Sequence, residues 1–357
     1  MTLSTKLRST VALDPITAEI SRMMDYSFDG ESTFTPHTMP DVPPDYGVGL
    51  IVGGSGSGKS TLLADFGVAD TPVWRSGEAV VSHFGSADEA STKLSAVGFN
   101  TVPAWLRPYH ALSTGEKFRA DVARVLGHGA VIDEFTSVVD RAVAKSCARA
   151  LSRYAREAEL RRVTLASCHR DIIPWLDPDW VFDTDTGQLA GRGSGRRPVV
   201  KLEVVPCAPQ EWPRFRDHHY LSGAINKSSR CWLVSWGDVL VGFTSALAFP
   251  NGNFSNAWRE HRTVVLPEFQ GMGFGVRISD AIGEIFVTQG CRYFSKTAHP
   301  RLGGYRNASP LWRPTSKNGR ARHDYNAANK TKEDKHKMRH AARLCYSHEY
   351  MGDNDAA

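Results

Sequence analysis

Eight consecutive residues, Gly53-Gly54-Ser55-Gly56-Ser57-Gly58-Lys59-Ser60, followed by Thr61, have the spacing G-x-x-x-x-G-K-[ST]. Glycines at these places let successive backbone N–H groups curl around a phosphate with no Cβ in the way. Lys59 supplies a charge for terminal phosphates, and the Ser60 hydroxyl suits Mg2+. Two carboxylates, Asp133 and Glu134, end the apolar run Ala130-Val131-Ile132. The first is placed to hold Mg2+ and the second to polarise an attacking water. His169 ends a second apolar run, Val163 to Cys168. Further along, Gln270-Gly271-Met272-Gly273-Phe274-Gly275 is another glycine loop, preceded by Arg262-Thr263-Val264-Val265-Leu266. Its N–H groups, at the start of a helix, suit a pyrophosphate. Glu260 and His261, just before that run, are candidate bases.

The elements that must carry these residues follow from pattern. Tyr46 to Val52 reads as a buried strand and Thr61 to Phe66 as a helix, so strand, glycine loop and helix follow in order. A helix is expected over Pro15 to Met24, strands over Glu78 to Phe84, Ala130 to Phe135 and Val163 to His169, and a hairpin within Trp180 to Leu189. Gly187 to Pro198, rich in Gly, Ser and Arg, reads as a linker. Beyond it come a strand (Val199 to Val205), a helix (Gln210 to Tyr220) and a hairpin whose strands, Cys231 to Trp236 and Val239 to Leu247, flank a Gly237-Asp238 turn. An amphipathic helix follows the second glycine loop as far as Thr288, then a strand from Tyr293 to Ala298. Gly303-Gly304-Tyr305-Arg306-Asn307 is compatible with a glycine turn. Thr331 to Tyr346 is helix-like.

The 357 residues suggest two domains. No run reaches the roughly 18 apolar residues of a membrane helix, and the N-terminus lacks an apolar signal core, so a cytoplasmic protein without membrane contact is expected. Six cysteines without a C-x-x-C pair argue against a structural zinc site or a disulfide framework. The net charge is +5, but nine Lys and Arg residues stand between Lys317 and Arg343 against three carboxylates, so the remainder is close to neutral. That cluster suits a nucleic-acid backbone, or equally a solvated tail.

Leu112-Ser113-Thr114-Gly115-Glu116 resembles the L-S-G-G-Q signature of ABC-type ATPases. Taken with the phosphate loop, the Asp133-Glu134 pair, Ser137-Val138-Val139-Asp140-Arg141 (which resembles the D-loop) and His169 (which resembles the switch histidine), the resemblance covers about residues 40 to 190. It implies ATP and Mg2+ as ligands. Gly53, Gly54, Ser55, Gly56, Ser57, Gly58, Lys59, Ser60 and Thr61 would hold the phosphates, Ser60 and Asp133 the metal, with Glu134 and His169 catalytic. It also implies a head-to-tail homodimer in which Ser113 and Gly115 of one chain cover the phosphates of the other. The sequence departs from the family in having Thr114 where Gly is usual and no Q-loop glutamine, His83 standing nearest. A base-stacking aromatic is expected upstream of the loop, with Tyr26, Phe28, Phe34 and Tyr46 eligible.

Residues 199 to 315 resemble the GNAT acyltransferase superfamily, on the strand, the Gln-x-x-Gly-x-Gly loop and the helix after it. The resemblance implies acetyl-CoA or another acyl-CoA bound at Val265, Gln270, Gly271, Met272, Gly273, Phe274 and Gly275, with Tyr305 as general acid. The expected fold is α/β: an N-terminal segment (1–45) completing a P-loop ABC-type domain with a central sheet (46–186), a linker (187–198), a smaller GNAT-like domain with a mixed sheet (199–315), and a basic tail (316–357). The expected function is an ATPase coupled to N-acylation of nucleic acid. Its rivals are an ATP-switched binding or scaffold protein, and acylation of a protein or small amine.

Overall fold

The computed structural model describes residues 7–192, 199–219, 224–250, 256–322 and 343–352. The chain forms two compact α/β units, one of residues 1–99 and 107–198, the other of residues 100–106 and 199–357.

The first unit opens with a two-stranded ribbon, β1 (Leu7–Thr10) and β2 (Glu31–Phe34), around helix α1 (Pro15–Met23). Its main sheet joins β3 (Val48–Val52), β4 (Val131–Ile132), β5 (Val163–Ser167), β6 (Trp180–Asp183) and β7 (Gln188–Gly191) in the order β4-β5-β3-β6-β7. All pairs are parallel except β6 with β7. β3 and β5 are buried along their whole length, which is why they read as unbroken apolar runs. A Cβ on Gly49 would meet the Trp180 ring at 2.1 Å, so the strand must have glycine where that indole crosses it. Helices α2 (Lys59–Leu63), α3 (Ala87–Ala96), α5 (Thr114–Val125), α6 (Arg141–Glu157) and α7 (Ile173–Leu176) accompany the sheet. α6 buries Val143, Ala144, Cys147, Ala148 and Leu151, the spacing of one helical face. Asp140 caps it through the N–H groups of Ala142 and Val143.

Glu78 to Phe84 is not a strand. Val80–His83 forms a 3-10 turn, since the His83 ring closes locally on Arg75 N–H and the Ala79 carbonyl. Beside it the bridge from Ala79 meets Pro108, which has no N–H to extend a ladder. Part of the expected linker is likewise ordered, as β7 closes the sheet against β6.

The second unit contains α4 (Val102–Trp105) and a mixed sheet. Its strands are β8 (Glu203–Cys207), β9 (Arg230–Trp236), β10 (Val239–Ala248), β11 (Ala257–Val265), β12 (Arg292–Thr297), β13 (Trp312–Pro314), β14 (Arg320–Arg322) and β15 (Arg343–Tyr350). The order is β13-β15-β12-β11-β10-β9-β8, with β14 on β15. α8 (Phe274–Thr288) and α9 (Pro300–Ala308) pack on it over Trp232, Ile282, Phe286, Tyr293, Trp312 and Tyr350. Trp212, Phe215, Cys231, Phe243 and Val264 form a separate core. Where a helix was expected from Gln210, the described residues form two 3-10 turns, Pro209–Arg214 and Arg216–His218, and Pro213 inside the first cannot donate an α-helical N–H. Gly303 to Asn307 is helical, as part of α9.

The largest correction concerns the C-terminus. Arg343–Tyr350 is a strand lying between β12 and β13, where the end of a helix-like run was expected. His348 and Tyr350 face the sheet's own core, and pairing with β12 outweighs local helix preference. The unit therefore continues through residue 350, and residues 316–357 are not a simple tail. Lys330, Lys332, Lys335, Lys337 and Arg339 lie outside the described residues.

Candidate functional sites

In the first unit, register aligns three chemistry-bearing strand ends. Val52 pairs with Ser167, and Ile132 with Leu165, so the glycine loop, Asp133-Glu134 and His169 leave the same edge of a parallel sheet. Ligands in α/β folds bind at that edge. Gly56 and Gly58 take φ of +76° and +89°, open to glycine at no cost. The Lys59 ammonium is buried and donates to Gly54 O at 2.7 Å. Ser60 is exposed, and α2 is shorter than expected, giving way to a 3-10 turn at Ala64–Phe66. Asp133 Oδ1 accepts Glu134 N–H at 2.8 Å, and Glu134 is exposed. Glu134 and Thr136 have φ of +51° and +71°, a strained choice for a β-branched residue. Thr136 is fully buried, with its hydroxyl 3.3 Å from Ser167 Oγ and 3.5 Å from His169 Nδ1.

Two neighbours of the loop escaped the sequence reading. Thr184 Oγ1 donates to Ser57 Oγ at 2.6 Å, and Gly54 N–H donates to Asp185 at 3.1 Å. Arg170, directly after His169, pairs with Asp183 and Asp185 and holds both carboxyls below the usual range. No spacing rule flags these residues; adjacency of β3 and β6 brings them in.

Of the four eligible aromatics, Tyr46 belongs to the core and bonds Thr164 at 2.6 Å, while Tyr26 lies against Phe28. Phe34 is the one at the loop: a Cβ on Gly58 would lie 3.0 Å from its ring. His83 is buried with both ring nitrogens engaged, so it does not replace the missing glutamine. Ser113 and Glu116 form a reciprocal capping box on α5, the ordinary structural use of Ser-x-x-Glu. Gly115 has only Val143 near its α-carbon, at 3.8 Å from where a Cβ would stand.

In the second unit, β11 runs antiparallel to β10 along its length but parallel to β12 only over Ala257–Arg259 opposite Arg292–Phe294. Past that point the two parallel strands cease to pair. β11 continues through a 3-10 turn at Pro267–Phe269 into Gly271 (φ +89°) and Gly273 (φ +81°), the N-cap of α8. α8 has no side-chain cap and no acidic residue in its first turn, so no side chain offsets the partial positive charge of its leading N–H groups. A Cβ on Gly275 would stand 3.8 Å from Val265, placing that residue over the loop. Met272 and Phe274 are buried and offer only main chain. Gln270 departs from expectation: its side chain donates to Val265 O at 3.0 Å and accepts from Asn100 N–H at 2.9 Å, so it braces the loop.

The two candidate bases part company. Glu260 accepts from Arg306, Ser295 and Thr263, and although burial pushes its carboxyl up, these partners hold it below the usual range. His261 is the extra residue of a β-bulge and is half-buried. Burial, then Arg262 and Arg259, lower its pKa to about 4, so the ring is neutral. Its Nε2 accepts a long bond from Asn226 N–H, 3.4 Å, leaving the proton on Nδ1. Tyr305 donates to Asp280 at 2.5 Å, and burial and that bond raise its pKa. Its proton is thus committed to a carboxylate on α8, and acid catalysis by Tyr305 requires that bond to be exchanged.

Residues 199–304 match the family described as acetyltransferase (GNAT) family. No curated protein matches the chain. Among solved structures, a Bacillus subtilis acetyltransferase in complex with CoA is similar at 15% identity, over 43% of this chain and 98% of that one, with a TM-score of 0.31. A dimeric bacterial ABC transporter cassette is similar at 12% identity, over 46% and 94%, TM-score 0.34. A bacterial Atm1-family ABC exporter with ATP bound is similar at 19% identity, over 46% and 35%, TM-score 0.30. Among the described residues, no helix is long and apolar enough to cross a membrane.

Proposed function

We propose that the chain joins an ABC-type ATPase to an acyl-CoA-dependent N-acyltransferase, and that the acyl acceptor is nucleic acid. The observation that carries the reading is the end of β11–β12 pairing at Arg259 and Phe294, together with a helix N-terminus without a side-chain cap at the glycine loop and a neutral imidazole on the same strand. The open N–H groups of Gly271 to Gly275 suit the pyrophosphate of CoA. Acyl-CoA supplies an electrophilic thioester carbon. His261 Nε2, giving up its bond from Asn226 N–H, would take the proton of the acceptor nitrogen as the N–C bond forms and pass it to the sulfur as the C–S bond breaks, so that CoA departs as the thiol. Burial of the ring favours its neutral, proton-accepting form.

In the first unit, Lys59 would exchange the Gly54 carbonyl for a phosphate oxygen. Ser60 and the free oxygen of Asp133 would hold Mg2+, Glu134 would orient water, and Phe34 would stack on the base. Ser113 and Gly115 would act across a homodimer, and the cytoplasm would supply both ligands. The nucleic-acid acceptor is favoured by charge placement. Arg322 and Arg343, which flank Lys330 to Arg339 in the sequence, are register partners in the sheet of the second unit.

The test is transfer of labelled acetyl from acetyl-CoA to RNA or DNA, together with binding at graded salt. Log affinity should fall with log salt by about 0.7 to 0.9 per phosphate contact, and replacing Lys330, Lys332, Lys335 and Lys337 with Gln should flatten that slope. Salt-independent binding without label transfer would refute the acceptor assignment.

A further inference from the structure

Where β11 and β12 cease to pair, the backbone ladder is replaced by side chains. Arg259 and Phe294 are the last paired residues of β11 and β12; the next on each strand are Glu260 and Ser295, joined by Ser295 Oγ donating to Glu260 Oε2 at 2.5 Å. Thr263 Oγ1 donates to Glu260 Oε1 at 2.8 Å, and Arg306 Nη2 to Oε2 at 2.7 Å. Arg306 lies on α9, donates also to Ser279 Oγ on α8 at 2.7 Å, and stacks over the Trp312 indole, 4.6 Å from its centroid. Trp312 Nε1 in turn donates to Asp280, the acceptor of Tyr305. The Arg306 and Glu260 side chains are 1% and 9% exposed.

A buried ion pair is a weak source of net stability, because desolvating both charges cancels most of their attraction. It does fix geometry, since a buried carboxylate must keep every one of its donors. Glu260 draws its donors from β11, β12 and α9, and so occupies the point where the two strands would otherwise continue to pair. β12 has three more residues, through Thr297, with which pairing could extend.

We infer that Glu260 and Arg306 are a positioning pair, a polar wedge that keeps β11 and β12 apart so that the pantetheine arm and thioester of an acyl-CoA can enter. Glu260 is therefore not the base of the reaction. The inference rests on the reading of the second unit as a CoA site, and names the device that makes the site accessible.

The experiment compares CoA with adenosine 3′-phosphate 5′-diphosphate, the CoA fragment that keeps the pyrophosphate but lacks the arm. Calorimetry on the full chain gives the affinity ratio of the two, which reports arm entry alone. In the double variant Glu260→Leu/Arg306→Leu, which removes both charges together, the ratio should collapse by about tenfold, with fragment affinity unchanged. A thermal melt like that of the parent separates this from general unfolding. Should the double variant not fold, Ser295→Ala removes one donor, and the ratio should fall by about threefold. A parental ratio in a folded variant overturns the wedge. Absence of binding of either compound to the parent chain overturns the CoA reading itself, and the wedge with it.

Discussion

Replacing Arg262 with Gln tests the electrostatics of the proposed base without touching it. His261 is lowered from 6.5 to about 4 by burial first, then by Arg262, Arg259 and His219. Near pH 7 such a ring is protonated in about one molecule in a thousand, against about one in four for an unshifted histidine. Because burial is the largest cause, losing the Arg262 charge should raise the pKa only part of the way back toward 6.5. The assay is the pH dependence of the imidazole Cε1–H resonance in full-length protein with labelled histidine, parent against variant. The same depression links to stability. Neutral His261 contributes fully above the unfolded pKa of about 6.5, and that contribution is lost as pH falls through 6.5 towards 4. Buried His348, also lowered to about 4 by burial and then Arg306, adds to acid lability in the same window. A midpoint near 6.5 for His261 in the folded parent, or no upward movement in Arg262→Gln, would refute the reasoning.

Three further outcomes follow from the geometry. Glu134→Gln should bind ATP, fail to hydrolyse it and accumulate dimer in light scattering, whereas Lys59→Ala should lose binding as well; an ATP-independent monomer for Glu134→Gln would contradict the shared site. Gly273→Val puts a β-branched residue at φ +81° over the open N–H groups of α8, so CoA affinity measured by calorimetry should fall by at least about tenfold, with a backbone cost of roughly 1–2 kcal/mol in the melt. Ending the chain at Thr315 removes β15 from between β12 and β13, so limited proteolysis should find the second unit unfolded, not merely less basic.

What the sequence determined by itself was local. The G-x-x-x-x-G-K-[ST] loop, the carboxylates after Val131–Ile132, the hairpin at Gly237-Asp238 and the glycines ahead of α8 are encoded by spacing over a few residues, because each needs a particular φ, an exposed charge or an apolar strand next to it. The short 3-10 turn at Val80–His83 was missed because an apolar run is strand-like only if a neighbour is available to pair, and that neighbour is a tertiary fact.

Tertiary structure alone decided the rest. Arg343–Tyr350 enters the sheet because β12 and β13 offer partners on both sides, a fact of the fold that the chain's local pattern does not carry. Glu260 and His261 are neighbours with similar claims to be a base, and a one-residue bulge sends them to different surroundings, one into an ion pair with Arg306 from a distant helix and the other into a half-buried, neutral state. Gln270 sits in its motif as expected, yet its side chain is spent on Val265 and Asn100. Spacing specifies which groups are present. Whether a group is ionised, capped or committed depends on what packing places against it, and partners such as Arg306 for Glu260 and Asn100 for Gln270 are tens to hundreds of residues away along the chain.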